Sequence, residues 1–257
     1  MILAINGQRV HVETYGETGD PVLLLHGALA DIMQNWRMVL APLSVKHRLI
    51  AVDLRGHGLS DNPSGIFTLD ALQTDALAVL DALDIPKAHV LGCSLGGYTA
   101  LALRLKAPER VASLALAGVK LGFDAAAAAA RAEFFYPDKI LKAHPLWESM
   151  LATAHGRYEG PEHWKTLTGW VRGLVATLHE YPALSWEVLA SEREQRGLFY
   201  AVGDRDDLVP IEEVTKVRHA RPDAEILVLP RAGHLFREYN AQVFSAAYLD
   251  FLRRQRI

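Results

Sequence analysis

The chain has one cysteine, Cys93, among 257 residues. That excludes an intramolecular disulfide and any metal site built on cysteine pairs. It also lacks a charge excess: 27 Lys and Arg face 30 Asp and Glu, for a formal net charge of −3. So balanced a chain has no electrostatic footprint for nucleic acid or an anionic membrane surface. No run of about 18 apolar residues is available to span a bilayer. The start, Met1-Ile2-Leu3-Ala4-Ile5-Asn6-Gly7, has no basic segment leading into an apolar stretch, so no secretory signal is expected. Internal repeats and the patterns of coiled coil or collagen are missing as well. What is present is a chain 50% hydrophobic and 22% charged, enough to bury a sizeable core. The expectation is a soluble, cytoplasmic globular protein, a monomer or small homo-oligomer.

Short apolar runs alternate with helical patterns. Val22-Leu25, Arg48-Val52, Ala88-Gly92, Ala112-Ala117, Leu198-Val202 and Glu225-Leu229 read as strands. Their hydrophobicity is nearly continuous, as in parallel strands covered on both faces. Leu69, Leu72, Leu80 and Leu83 share one helical face, and further helices are expected over about Gly97-Lys106 and Ala241-Arg254. Ile5 to Tyr15, turning at Asn6-Gly7, reads as an antiparallel edge hairpin. The order implies an α/β class with a mostly parallel, doubly wound sheet. From Gly122 to Arg196 the strand rhythm stops. Asp124 there precedes six alanines as a helix cap, and Trp147, Trp164, Trp170 and Trp186 follow. The segment reads as a helical insertion whose aromatics mostly form a small core.

Val90-Leu91-Gly92-Cys93-Ser94-Leu95-Gly96-Gly97 is a strand, then G-x-S-x-G, then a helix. A nucleophile must stand clear of the backbone on a tight turn, and glycines at 92 and 96 remove the clashes such a turn creates. Ser94 is therefore the candidate nucleophile. Its neighbour Cys93 points elsewhere and reads as a small buried side chain. A serine hydroxyl needs a base, and His234 has the right address, in the loop after Leu229-Pro230 and before the last helix. The base needs an acid. The loop Gly203-Asp204-Arg205-Asp206-Asp207 offers three, and Asp124 is a fourth candidate. The backbone amides of Ala28, after Leu25-His26-Gly27, and of Leu95, at the helix start, are candidate oxyanion donors. His26 reads as structural, shaping its loop by hydrogen bonds.

By these motifs the chain resembles an α/β-hydrolase over essentially its whole length. The motifs that carry the resemblance are His26-Gly27, Asp53-Leu54-Arg55-Gly56-His57-Gly58-Leu59-Ser60, Gly92 to Gly97, Gly203-Asp204-Arg205-Asp206 and Gly233-His234. The resemblance implies Asp206, three residues after Gly203, as the acid. It implies that Asp53-Ser60 is a scaffold loop, that residues 1–121 and 197–257 form the core, and that 122–196 is a helical cap. The long glycine-rich oxyanion loop of some lipases is absent, which favours the capped esterase, lactonase and carbon–carbon hydrolase branch. Dehalogenases and epoxide hydrolases of this fold carry aspartate where Ser94 stands, so those activities are not expected. The implied chemistry is acyl transfer to water with no cofactor and no metal, on a small, partly apolar substrate. Carbon–carbon hydrolysis, perhydrolase or haloperoxidase chemistry, and a non-catalytic ligand receptor remain open beside it.

Overall fold

A computed structural model describes residues 1–191 and 197–255. Eight strands form one sheet: β1 (Ile2–Ile5), β2 (Gln8–Tyr15), β3 (Pro21–Leu25), β4 (Arg48–Val52), β5 (Ala88–Cys93), β6 (Val111–Ala117), β7 (Leu198–Gly203) and β8 (Glu225–Leu229). They lie in the order β1-β2-β4-β3-β5-β6-β7-β8. β1 and β2 make an antiparallel hairpin at the edge, β2 runs antiparallel to β4, and the remaining pairings are parallel. The six apolar runs are all strands. The hairpin starts earlier than its alternation indicates, at Ile2, because Ile2 already pairs with His11.

Alternate strand residues feed opposite layers. Leu23, Leu25, Ile50, Val52 and Val90 pack in the layer of α2 (Leu69–Ala82) and α3 (Leu95–Lys106). Val22, Leu24, Leu49, Ala51 and Leu91 pack in the layer of α1 (Ile32–Ser44) and α10 (Ala241–Arg254). α1 is a helix that the sequence reading does not mark. Its signal is an apolar stripe, Ile32, Trp36, Val39, Leu40 and Leu43, behind an Asp31 cap that accepts the Gln34 amide at 2.7 Å. β8 departs from the expectation of full cover. Among the described residues it has only β7 as neighbour, and Val228 is 40% exposed.

Between β6 and β7 the described chain is helical: α4 (Ala125–Ala132), α5 (Pro137–Ala143), α6 (Trp147–His155), α7 (His163–Ala176) and α8 (Trp186–Ser191). Residues 192–196 of the expected insertion lie outside the described residues. Asp124 caps α4, accepting the Ala127 amide at 2.7 Å. α9 (Glu212–Ala220) links β7 to β8. No described helix is long and apolar enough to cross a membrane.

The four tryptophans of the insertion divide by environment. Trp164 is fully buried. Trp170 lies over Gly56 and stacks with Phe67, ring centroids 6.3 Å apart, while Trp186 closes on Gly122. Trp147, half-buried, lines a cavity. Trp164→Ala should therefore lower the unfolding free energy by about 3–5 kcal/mol in urea titration. Trp147→Ala should cost less than half of that; equal losses would place both rings in the core.

Candidate active site

β5 ends at Cys93 and α3 begins at Leu95, so Ser94 alone makes the turn, with φ 47° and ψ −112°. A non-glycine residue in this left-handed region is strained by about 1 kcal/mol or more. Its neighbours must be small. A Cβ on Gly92 would lie 2.2 Å from the Gly96 carbonyl oxygen, and one on Gly96 would lie 2.0 Å from that of Leu25. The Ser94 amide is fixed by donating to Ala117 O at 2.9 Å. Cys93 is buried beside it, and burial pushes its thiol up to about 12, so it is a neutral packing group.

From this turn the Ser94 hydroxyl donates to His234 Nε2 at 3.1 Å. His234 Nδ1–H donates to Asp206, at 3.0 Å to Oδ2 and 3.1 Å to Oδ1. A carboxylate only accepts, so it fixes the Nδ1–H tautomer and leaves Nε2 free to take a proton. Asp206 is held in turn by the Leu208 and Val209 amides, both donating to Oδ1 at 2.9 Å. Of the four aspartates weighed from the sequence, Asp206 is the one brought to His234. Asp204 and Asp207 are exposed in the same loop, and Asp124 is the α4 cap.

The loop after β3 lies against Ser94: a Cβ on Gly27 would be 3.5 Å from Ser94 Cβ. The Leu54 amide donates to His26 Nε2 at 2.9 Å, so the His26 proton sits on Nδ1 and is donated to Gly27 O at 2.8 Å. In a trans peptide the carbonyl and the next N–H point oppositely. Pinning Gly27 O therefore turns the Ala28 N–H the other way. Among the described residues neither the Ala28 nor the Leu95 amide has an acceptor. Leu29 follows with φ 59°. Its N–H donates to His57 Nε2 at 3.2 Å, and its carbonyl accepts from His155 Nε2 at 3.2 Å. Burial lowers the pKa of His26, His57 and His155, the last to about 4, so all three imidazoles are neutral.

Asp53 ties this loop to the scaffold. It accepts from His11 Nδ1 at 2.8 Å and from the Ile32 and Leu59 amides at 2.9 Å. Burial opposes its charge, but these donors prevail and its pKa is lowered.

Ser94 and His234 open onto a cavity of about 480 Å³, walled by Phe134, Phe135, His144 and Trp147 of the insertion and by Arg205. That size suits a small molecule. A second cavity, of about 450 Å³ beside His11 and Asp53, does not reach Ser94. Arg131 of α4 also faces the first cavity and has no hydrogen-bond or ion-pair partner among the described residues. Burial lowers its pKa, against the attraction of Tyr98, Asp206 and Asp207. Sequence reasoning misses Arg131 and His155. Both lie on helices whose only local signal is helicity, and nothing in their flanks marks them.

Over residues 20–241 the chain matches the family described as the alpha/beta hydrolase fold. It is 33% identical over 255 residues to the dihydrolipoyllysine-residue acetyltransferase component of the acetoin cleaving system of Pseudomonas putida, covering 94% of this chain and 66% of that one. It is 38% identical over 97 residues to 3-oxoadipate enol-lactonase 2 of Acinetobacter baylyi, covering 38% of this chain and 36% of the relative. It is 30% identical over 271 residues to a 2-hydroxy-6-oxononadienedioate/2-hydroxy-6-oxononatrienedioate hydrolase of Burkholderia vietnamiensis, covering 96% and 91%. The first two matches thus span less than two thirds of the relatives' own lengths.

The buried histidines set an acid limit on stability. His155 and His89, the latter in β5 and bonded across to Ser113 of β6, have pKa values lowered to about 4, burial being the largest cause. Unfolded, such groups titrate near pH 6.5. Between pH 4 and about 6.5 the unfolded chain thus binds more protons, and stability falls as pH drops through that window. Each group accounts for on the order of 3 kcal/mol by its lower end. Thermal melts between pH 7 and about pH 4.5 should show a continuous fall in Tm. A flat Tm over that range would mean that these imidazoles are not held neutral.

Proposed function

The chain belongs to the alpha/beta hydrolase fold family, and on that premise we propose that it is a serine hydrolase acting on an ester or lactone of a small, partly apolar molecule. The observation that carries this reading is the unbroken line from Ser94 through His234 to Asp206. In the first step Ser94 Oγ attacks the carbonyl carbon while His234 Nε2 takes the hydroxyl proton. Asp206 stabilises the imidazolium through Nδ1–H. The negative carbonyl oxygen is received by the Ala28 and Leu95 amides, which have no other acceptor among the described residues. Collapse expels the alcohol or ring oxygen, protonated by His234. Water then attacks the acyl-enzyme with His234 again as base, releasing the acid and restoring Ser94.

Arg131 narrows the substrate class. A half-buried guanidinium with no hydrogen-bond or ion-pair partner among the described residues, drawn to Asp206 and Asp207 only at longer range, is costly unless something it meets in the cavity carries negative charge. We read it as the partner of a carboxylate on the substrate, remote from the bond that is cut. The full-length likeness to the nonadienedioate hydrolase favours a second reading. There the same residues would cut a carbon–carbon bond beside a carbonyl, with His234 protonating the carbon that leaves.

Ser94 should take a fluorophosphonate label, and Ser94→Ala should abolish labelling and lower turnover by roughly 10³-fold or more. Asp206→Asn should reduce kcat by about 10²–10⁴-fold with the fold intact, while Asp124→Asn stays near the wild-type rate. The reverse ranking would move the acid to the start of α4. For the substrate class, p-nitrophenyl hydrogen glutarate is compared with neutral p-nitrophenyl pentanoate. The wild type should prefer the anionic ester in kcat/KM, and Arg131→Gln should shrink that preference by about tenfold or more. An unchanged ratio would remove Arg131 from substrate recognition. A panel including β-diketones separates ester from carbon–carbon cleavage.

A further inference from the structure

We propose that His155, the last residue of α6, is a positioning residue for the reaction: it sets the oxyanion loop by clamping Leu29. The inference rests on the reading of the Ala28 amide as an oxyanion donor. Gly27 is held by His26 at its carbonyl and by Asn35 at its amide, but Leu29 has no such partner within the loop, and among the described residues the loop's one internal backbone bond, Ala30 N–H to Gly27 O, is long at 3.3 Å. Leu29 nevertheless keeps a left-handed conformation that a leucine does not favour. Two imidazoles maintain it, His57 on the amide and His155 on the carbonyl. His57 is itself anchored within the core, its Nδ1–H donating to Arg55 O at 3.0 Å. His155 comes from the insertion, and among the described residues no other group of the insertion hydrogen-bonds to residues 26–30.

The His155 ring can clamp only in one protonation state. The Gly58 amide donates to its Nδ1 at 2.9 Å, so the single ring proton is on Nε2 and points at Leu29 O. The ring is 3% exposed and lies edge-on to His57, centroids 5.6 Å apart, and its burial keeps that proton count fixed. Without the clamp the Leu29 carbonyl is buried and unpaired. The loop then gains by turning Leu29 toward negative φ, which rotates the Ala28–Leu29 peptide; through Ala28 Cα that movement displaces the neighbouring Gly27–Ala28 peptide, which carries the Ala28 N–H, relative to Ser94. The opposite end of α6 is Trp147, which lines the Ser94 cavity. One short helix therefore touches the substrate space at its first residue and the oxyanion loop at its last.

The test uses three replacements of one ring. His155→Gln can still donate to Leu29 O from a position close to Nε2. His155→Asn reaches only as far as Nδ1 and can serve Gly58 alone. His155→Leu serves neither. Each is assayed on the best p-nitrophenyl ester, with kcat referred to the enzyme titrated by a fluorophosphonate, so that unfolded protein does not count. The affinity of a trifluoromethyl ketone, whose adduct places an oxyanion in the hole, is measured alongside. The expected result is a loss of about tenfold in kcat for Leu and Asn with KM within about twofold, an equal loss in ketone affinity, and recovery of both in Gln. Wild-type kcat in His155→Leu overturns the inference. So does a loss that appears in KM alone, or one that tracks thermal stability equally in all three variants. If the wild type neither takes the fluorophosphonate nor cuts any ester, the hydrolase reading itself fails and the inference falls with it. An active wild type with unaffected variants leaves that reading standing and removes His155 only.

Discussion

No side chain fits where the first turn of α3 crosses the ends of β3 and β5. The Gly92 and Gly96 backbones approach to distances at which a Cβ would overlap a carbonyl oxygen. That contact forces Ser94 into its turn, starts α3 one residue later, and brings the Leu95 amide and the Gly27–Ala28 loop to the same side of the hydroxyl. The loops carrying Asp206 and His234 follow β7 and β8, whose parallel pairing delivers both to that edge of the sheet. A parallel sheet thus gathers residues from distant parts of the chain because each strand ends at the same level.

This explains what could be read in advance. Ser94, His234, Asp206 and the Ala28 and Leu95 amides lie in turns at strand ends. There, glycine and aspartate patterns are local signs of the backbone geometry. The strand runs are continuous because both faces of the central strands are covered. β8 has a similar run and is half-open, since an edge position depends on strand order and leaves no mark in a five-residue segment. α1 escapes notice although its apolar spacing is regular, and its Asp31 cap is also a wall of a cavity. The choice of Asp206 over its loop neighbours rests on family likeness; the structure supplies a physical distinction in the Leu208 and Val209 amides.

The insertion is legible only as helix. Its run of alanines and its capping aspartate explain α4 without indicating that Arg131 would be left facing a cavity. His155 and His163 are ordinary in sequence, yet both reach into the Gly56–Gly58 turn, His163 by donating to Gly56 O at 3.1 Å. Such contacts depend on how a helix is seated on a distant loop. A composition or a periodicity does not encode that seating.

The His155 bridge bears on how freely such a protein could exchange its insertion for another. The insertion enters and leaves between adjacent strands, β6 and β7, which makes it look like a detachable roof. Yet a transplanted roof without an equivalent imidazole would leave the Leu29 carbonyl and the Gly58 amide buried with no partner. Each orphaned group costs about 1–3 kcal/mol. Recombination that altered the pocket would therefore disturb the loop beside Ser94 as well, and lineages that changed one would be pressed to repair the other.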